Sequence, residues 1–306
     1  MRLLRIAFVV AASALLACSL LVDTSGLSEP PRDVDGGSDV RVAVDAPADV
    51  DRNDAEAGAS CVPTSIVVAP LTADLGTLVG KGYQVGSYPK VESFFGSPAA
   101  VLYPFVDVTP KDAGPDAEPI VAPELLDSHS GLWLPTPVDL RAFDVDVDVH
   151  VRCTSASSCA DGVILAWLDT IEVAKLANTT NGHPGGLPDE VGGGLVILDD
   201  YRNEPTETAD PEVPAIHVAR LDATKALGYY PWNVASRPTT FLGAWHRIGV
   251  RVRGAAVTVL YDGATWLTST SAAVTRGLFG ITGGAGGESN AAAVRNLEAR
   301  FYDCVP

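Results

Sequence analysis

The sequence predicts an all-β fold, a sandwich of antiparallel strands, on three observations. Beyond Cys61, apolar and polar residues alternate with period two, which sends successive side chains to opposite faces of a sheet. Turn residues such as Asp262-Gly263 separate several of the runs, as hairpins require. Only short pieces, such as Asp222 to Leu227, carry a helical pattern, and many strands with few helices in one long domain pack as two sheets.

The clearest run is FDVDVDVHVR. It puts Phe143, Val145, Val147, Val149 and Val151 on one face and Asp144, Asp146, Asp148, His150 and Arg152 on the other, so the strand is expected to have one buried and one wet face. Further strands are predicted at Gly162 to Leu168, Leu195 to Asp199, Ala215 to Leu221, His246 to Val252, Ala256 to Tyr261, Thr265 to Thr268, Leu278 to Thr282 and Val294 to Tyr302.

The N-terminus reads as a targeting segment. Arg2 and Arg5 precede an apolar run from Ile6 to Leu16, too short to span a bilayer comfortably, and Leu15-Leu16-Ala17-Cys18 follows. LLAC resembles the lipobox of bacterial lipoproteins, in which cleavage precedes a Cys that carries diacylglycerol. Residues 1–18 are therefore expected to be a signal peptide ending at the lipidated Cys18. Ser19 in place of Asp, in the enteric pattern, permits transfer to the outer membrane. The expected location is the bacterial cell envelope, membrane-anchored, at the outer membrane or cell surface.

Residues 19–60 turn to Asp, Ala, Val, Gly and Pro without aromatics, a composition that cannot bury enough surface to order itself and reads as an acidic tether. The Asp spacing there is too irregular for a calcium-binding repeat. Residues 61–306 are the expected folded domain. The 306-residue chain carries a formal net charge of -17 with no Lys/Arg cluster, which excludes nucleic acid as a natural partner.

Four cysteines remain after Cys18: Cys61, Cys153, Cys159 and Cys304. In an exported chain an even number suggests disulfides, with three pairings open. The preferred one closes CTSASSC through Cys153 and Cys159 and joins the domain ends through Cys61 and Cys304. Zinc finds no paired CxxC or nearby His.

One stretch concentrates oxygen ligands at the end of a strand: VILDDYRNEPTETADPEVPAIHVARLD. Asp199, the Tyr201 carbonyl, the Asn203 side chain and Asp210 are hard donors of the kind calcium accepts, although Asp, Asn and Pro are also ordinary turn formers. Their order resembles the L-type lectins, the family of legume seed lectins and of the cargo lectins of the animal secretory pathway, where a strand ends in Asp-x-Tyr/Phe-x-Asn and a second Asp follows. The resemblance runs from about Phe95 to Phe301: FGSPA, FVDVTPKD, SGLW, ADGVILAWL, WHRIGVRVRGAAVTVLYDGATW and GLFGITGGAGG look like family segments in family order.

The resemblance implies a concanavalin A-like jelly roll and a calcium-ordered carbohydrate site. Metal ligands would be Asp199, Tyr201, Asn203 and Asp210. His217 is either a residual metal ligand or, by preference, a plain strand residue. The sugar would meet Asp161, Asn203, the Gly-rich pair Gly193 and Gly194, and the loop from Gly284 to Glu288, with Gly286 and Gly287. Ile197 stands where the legume proteins place a Glu, so the companion transition-metal site is expected to be lost or incomplete. In GYYPWN, Tyr230 or Trp232 could stack on a sugar, though a loop tucking aromatics over the sandwich edge is preferred.

The expected function is that of an exported, lipid-anchored lectin that binds a glycan or polysaccharide and breaks no bond. The rivals are a non-binding surface lipoprotein on the same sandwich and, less favoured, a glycoside hydrolase. No pair of Glu residues alternates on one strand, as sandwich hydrolases need, and no GxSxG, HExxH or Cys-His signature occurs. Whether two copies form a homodimer through the back sheet stays open.

Overall fold

Sixteen strands form among the residues described by the computed structural model, which are 61–83, 88–103, 128–153, 162–172, 176, 187–188, 191–200, 213–221, 223, 232–285 and 290–304. They are β1 (Pro63–Ala69), β2 (Val79–Tyr83), β3 (Lys90–Phe94), β4 (Ser97–Tyr103), β5 (Ser128–Trp133), β6 (Val138–Asp139), β7 (Ala142–Cys153) and β8 (Gly162–Leu168), followed by β9 (Gly193–Asp199), β10 (Ala215–Leu221), β11 (Trp232–Pro238), β12 (Trp245–Arg253), β13 (Ala256–Tyr261), β14 (Ala264–Thr270), β15 (Arg276–Ala285) and β16 (Asn290–Tyr302). One sheet runs β14-β13-β12-β7-β16-β4-β3, with β1 also on β16; the other runs β11-β10-β9-β8-β15-β5-β2, with β6 on β15. Every pairing between named strands is antiparallel. Among the described residues no helix is long and apolar enough to cross a membrane.

The valines of β7 explain the sandwich. Phe143, Val145, Val147, Val149 and Val151 share one core cluster with Val163, Leu165 and Trp167 of β8, Val196 and Leu198 of β9, and Ile216 and Val218 of β10. Phe143 sits among the rings of Trp167 at 5.5 Å, Phe279 at 5.8 Å and Phe301 at 5.8 Å. Each such buried side chain contributes roughly 1.5–3 kcal/mol of transfer free energy.

The opposite face of β7 is neutralised more than merely wet. Arg251 clamps both carboxylate oxygens of Asp146 at 2.9 and 2.8 Å, Arg253 meets Asp144 at 2.8 Å and Arg247 meets Asp148 at 3.0 Å. The Tyr302 hydroxyl donates to Asp144 and the Asn296 amide to Asp148. His150 departs from the expectation of a wet position. It is 4% exposed, stacked on Trp245 at 5.3 Å and met edge-on by Phe94 and Phe95.

Strands β8, β10 and β13 keep their sequence-predicted bounds, whereas β9 begins two residues early, at Gly193. The strands before β7, and β11, carry too little alternation to be read in advance. In β4 the reason is visible: Ala100 and Leu102 enter the main core, while Ala99 and Val101 are covered on the other side by Phe94, so the run is apolar throughout. The segment Asp222 to Leu227 lies outside the described residues except for Ala223.

Cys61 and Cys304 are joined as predicted, tying the chain ahead of β1 to the end of β16. Cys153 is also disulfide-bonded, but Cys159 lies outside the described residues, as do Cys18 and the whole of residues 1–60.

Candidate ligand site at one end of the second sheet

Four strands of the second sheet bring the predicted site segments to a common end. Val163 at the start of β8 pairs with Leu198 at the end of β9, and Asp199 pairs with Ala215 at the start of β10. On the other side of β8, Gly162 pairs with Gly284 near the end of β15, and Gly284 pairs with His129 of β5. Asp161, Tyr201, Asn203, Asp210, Gly286 and Gly287 lie outside the described residues, but the chain enters or leaves their segments here, at Gly162, Asp200 and Ala285.

Gly162 explains why the sequence has Asp-Gly at this point. Its φ is +89°, and a Cβ placed on it would stand 1.8 Å from the Leu198 carbonyl oxygen and 3.5 Å from the Asp199 Cα. No side chain fits, so glycine lets β8 start tightly against the end of β9. Sequence reading had singled out Asp161 and passed over the glycine beside it.

Asp199 and Asp200 are 8% and 7% exposed. Adjacent carboxylates this buried cost several kcal/mol each unless positive charge or hydrogen bonds compensate them. His217, fully buried on β10, places Nε2 3.2 Å from Asp199 Oδ2. Both His217 ring nitrogens are buried without a hydrogen bond, so the two side chains meet as close polar neighbours. Asp200 was not foreseen as part of the site, although the doubled Asp of LDD was the available signal.

Among the described residues no three His, Cys, Asp or Glu side chains group to hold a metal ion. Asp199 fits as one ligand of a hard cation: it is an anionic oxygen donor at a strand end, shielded from bulk water. The other three predicted ligands lie outside the described residues.

Gly193 and Gly194 are not brought to this end. They open β9 and pair with Leu168 and Trp167, about 20 Å along the strand from Asp199 at the usual rise per residue. A Cβ on Gly194 would lie 2.1 Å from the Trp167 ring, so this glycine makes room for a core tryptophan. Tyr230 lies outside the described residues, and the Trp232 side chain is likewise not described.

No family model matches the sequence, nor does any curated protein. Solved structures match the fold. The exoplasmic/lumenal domain of VIP36, in a form bound to Ca2+ and Man3GlcNAc, aligns with a TM-score of 0.55 at 16% identity over 77% of this chain and 88% of that one. Lectin UEA-II complexed with galactose gives 0.55 at 13% identity over 78% and 99%. Basic winged bean lectin with Tn-antigen gives 0.50 at 11% over 77% and 97%. The two-sheet antiparallel architecture is thus L-type-lectin-like, as the sequence motifs implied.

Proposed function

We propose that this L-type-lectin-like sandwich is a carbohydrate-binding protein whose site is the end of the second sheet where β8, β9, β10 and β15 meet. One observation carries the reading: the antiparallel register gathers Gly162, the buried Asp199–His217 pair and Gly284 at that end, with the segments of Asp161, Asn203 and Gly286 attached directly to them. Carbohydrate ligands named for the structural neighbours agree with it, namely Man3GlcNAc for VIP36 and galactose for UEA-II.

In this reading calcium is held by Asp199, the Tyr201 carbonyl, Asn203 and Asp210. When bound it supplies fixed positive charge that orders the loop after β9. His217 keeps the Asp199 carboxylate in place from the neighbouring strand. Gly162 sets the entry of β8, so that the Asp161 carboxylate accepts hydrogen bonds from ligand hydroxyls. Preorganisation matters because a polar ligand buries little apolar surface and repays little loop ordering. Recognition involves no bond making or breaking, and the protein is read as a non-enzyme.

Export follows the same line of reasoning. The Cys61–Cys304 disulfide favours an oxidising compartment. Lipidation at Cys18, the tether of residues 19–60 and a place on the bacterial cell envelope remain part of the proposal.

The test is a glycan array read with calcium and again with EDTA, on the wild-type protein and on Asp161→Ala. Calcium-dependent binding lost in the variant supports the reading. A flat array, with no calcium-induced rise in melting temperature, moves the protein to the non-binding lipoprotein alternative.

A further inference from the structure

Strands at the edge of a sheet expose unpaired backbone, and charged side chains or proline commonly guard them. Three edges of this fold are guarded in that way: Lys81 lies on β2, Lys90 and Glu92 on β3, and Arg237 with Pro238 on β11. Strand β1 has no such guard. Among the described residues it pairs with β16 alone, and its sequence, PTSIVVA, is rich in β-branched residues and holds no ionisable side chain. Val67 and Ala69 turn inward to the core. Ile66 and Val68, with Val62 just ahead of the strand, stand 58%, 66% and 68% exposed. They are three of the five large apolar side chains exposed among the described residues, so they form a patch rather than scattered exceptions.

The neighbours of this patch bear on what meets it. Ile66 pairs with Arg300 and Val68 with Glu298, and those two side chains meet each other at 3.4 Å, so the charge beside the patch is balanced. A chain of formal net charge -17 resists a second copy of itself. A zwitterionic lipid surface carries no net charge to oppose it. The point where the chain enters the domain favours the lipid as well. Residues 19–60 lead to Cys61, next to Val62, and the disulfide to Cys304 holds that entry beside the end of β16. The segment of Gly286 and Gly287 leads instead into the start of β16, at the other end of a 13-residue strand and about 40 Å away.

We infer that Val62, Ile66 and Val68 rest on the lipid bilayer in which the chain is anchored. Their side chains pass from water into the apolar boundary beneath the headgroups, as those of interfacial elements do. Anchoring at Cys18 makes this contact intramolecular, so a small apolar area is enough to hold it. The patch lies along the half of β16 from Leu297 to Tyr302, which leaves the candidate ligand end clear of the lipid. The inference rests on the lipid-anchor reading above and adds the face that the domain turns to its membrane.

The test places the full-length lipidated protein in phosphatidylcholine vesicles that contain nitroxide-bearing phosphatidylcholine. A fluorescent label is carried at Ile66→Cys or, at the ligand end, at Thr240→Cys, an exposed position just after β11, whose Pro238 pairs with Ala215. The nitroxide should quench the label at 66 and leave the label at 240 bright. Adding Val62→Thr and Val68→Thr keeps the β-branched shape on an exposed face, so the melting temperature should hold while the quenching at 66 is lost. Equal quenching at the two positions, or quenching at 66 that survives the threonines, overturns the inference. So does a label at 66 on the Cys18→Ser protein that becomes shielded in buffer as protein concentration rises, which assigns the patch to a second copy. Mass spectrometry of the N-terminus separates the two readings: an unacylated Cys18 overturns the anchor and this inference with it, whereas an acylated Cys18 with equal quenching overturns the docking alone.

Discussion

His217 Nε2 lies 3.2 Å from Asp199 Oδ2 although the register does not set the two residues opposite each other: His217 faces Ile197, and Asp199 faces Ala215. The contact is diagonal, between positions that share the outer face of the second sheet, and it ties the end of β9 to the second turn-facing position of β10. His217→Ala leaves a buried carboxylate without this neighbour. The fully buried ring also leaves a cavity, and the expected cost is about 2–3 kcal/mol in denaturant unfolding. With calcium bound at Asp199, the same change should weaken calcium affinity by roughly 10–100-fold, read by titration calorimetry. A variant with wild-type stability would show that the pair is incidental.

Gly162→Ala should be among the most damaging single changes at the site. Its Cβ would overlap the Leu198 carbonyl at 1.8 Å, and the backbone at φ +89° disfavours any side chain. A loss of about 3 kcal/mol or more is expected. Hydrogen exchange should show the end of β9 opening first, since Leu198 is the atom group displaced.

Gly194→Ala separates the two roles once open to this glycine. The Trp167 ring stands 2.1 Å from the added Cβ, so stability should fall by about 1–3 kcal/mol from overpacking. At a temperature where the variant is folded, its sugar affinity should match the wild type. An affinity loss out of proportion to the stability loss would return Gly194 to the ligand site.

His150 should give the protein an acid-sensitive increment. Burial holds its pKa below the ordinary histidine value, and the neighbouring Arg152, His246 and Arg295 charges act in the same direction, against a backbone hydrogen bond involving Gly243. The folded state then resists a proton that the unfolded chain accepts at about pH 6.5. Stability from this group is complete above that pH. It declines as pH falls below it, and levels off below the folded pKa. His150→Phe keeps an aromatic against Trp245 and removes the proton site, so its melting temperature should fall less steeply than that of the wild type as the pH drops below about 6.5. Parallel curves would exclude His150 as the source.

Period-two alternation was enough to place β7 and β13, because a strand with one apolar face specifies which face must be covered; β8 and β10 keep the bounds read from the sequence although both of their faces are buried. The ordered motifs from Phe95 to Phe301 were enough to place the sandwich among L-type-lectin-like folds. Cys61–Cys304 was the preferred one of three pairings the sequence left open, and the structure joins the two residues. What the sequence could not rank was the use of residues of one kind. Gly162 and Gly194 look alike in the chain; one admits a neighbouring carbonyl and the other a tryptophan ring. His150 reads as a solvent-facing residue because local alternation says nothing about a hairpin two strands away folding over it. Asp199 and His217, eighteen positions apart, become a buried pair only through the pairing of β9 with β10. Local pattern determines which face a residue occupies, since that depends only on its own strand. What covers that face, and which distant residue meets it, is set by long-range register and packing, and these the tertiary structure alone decided.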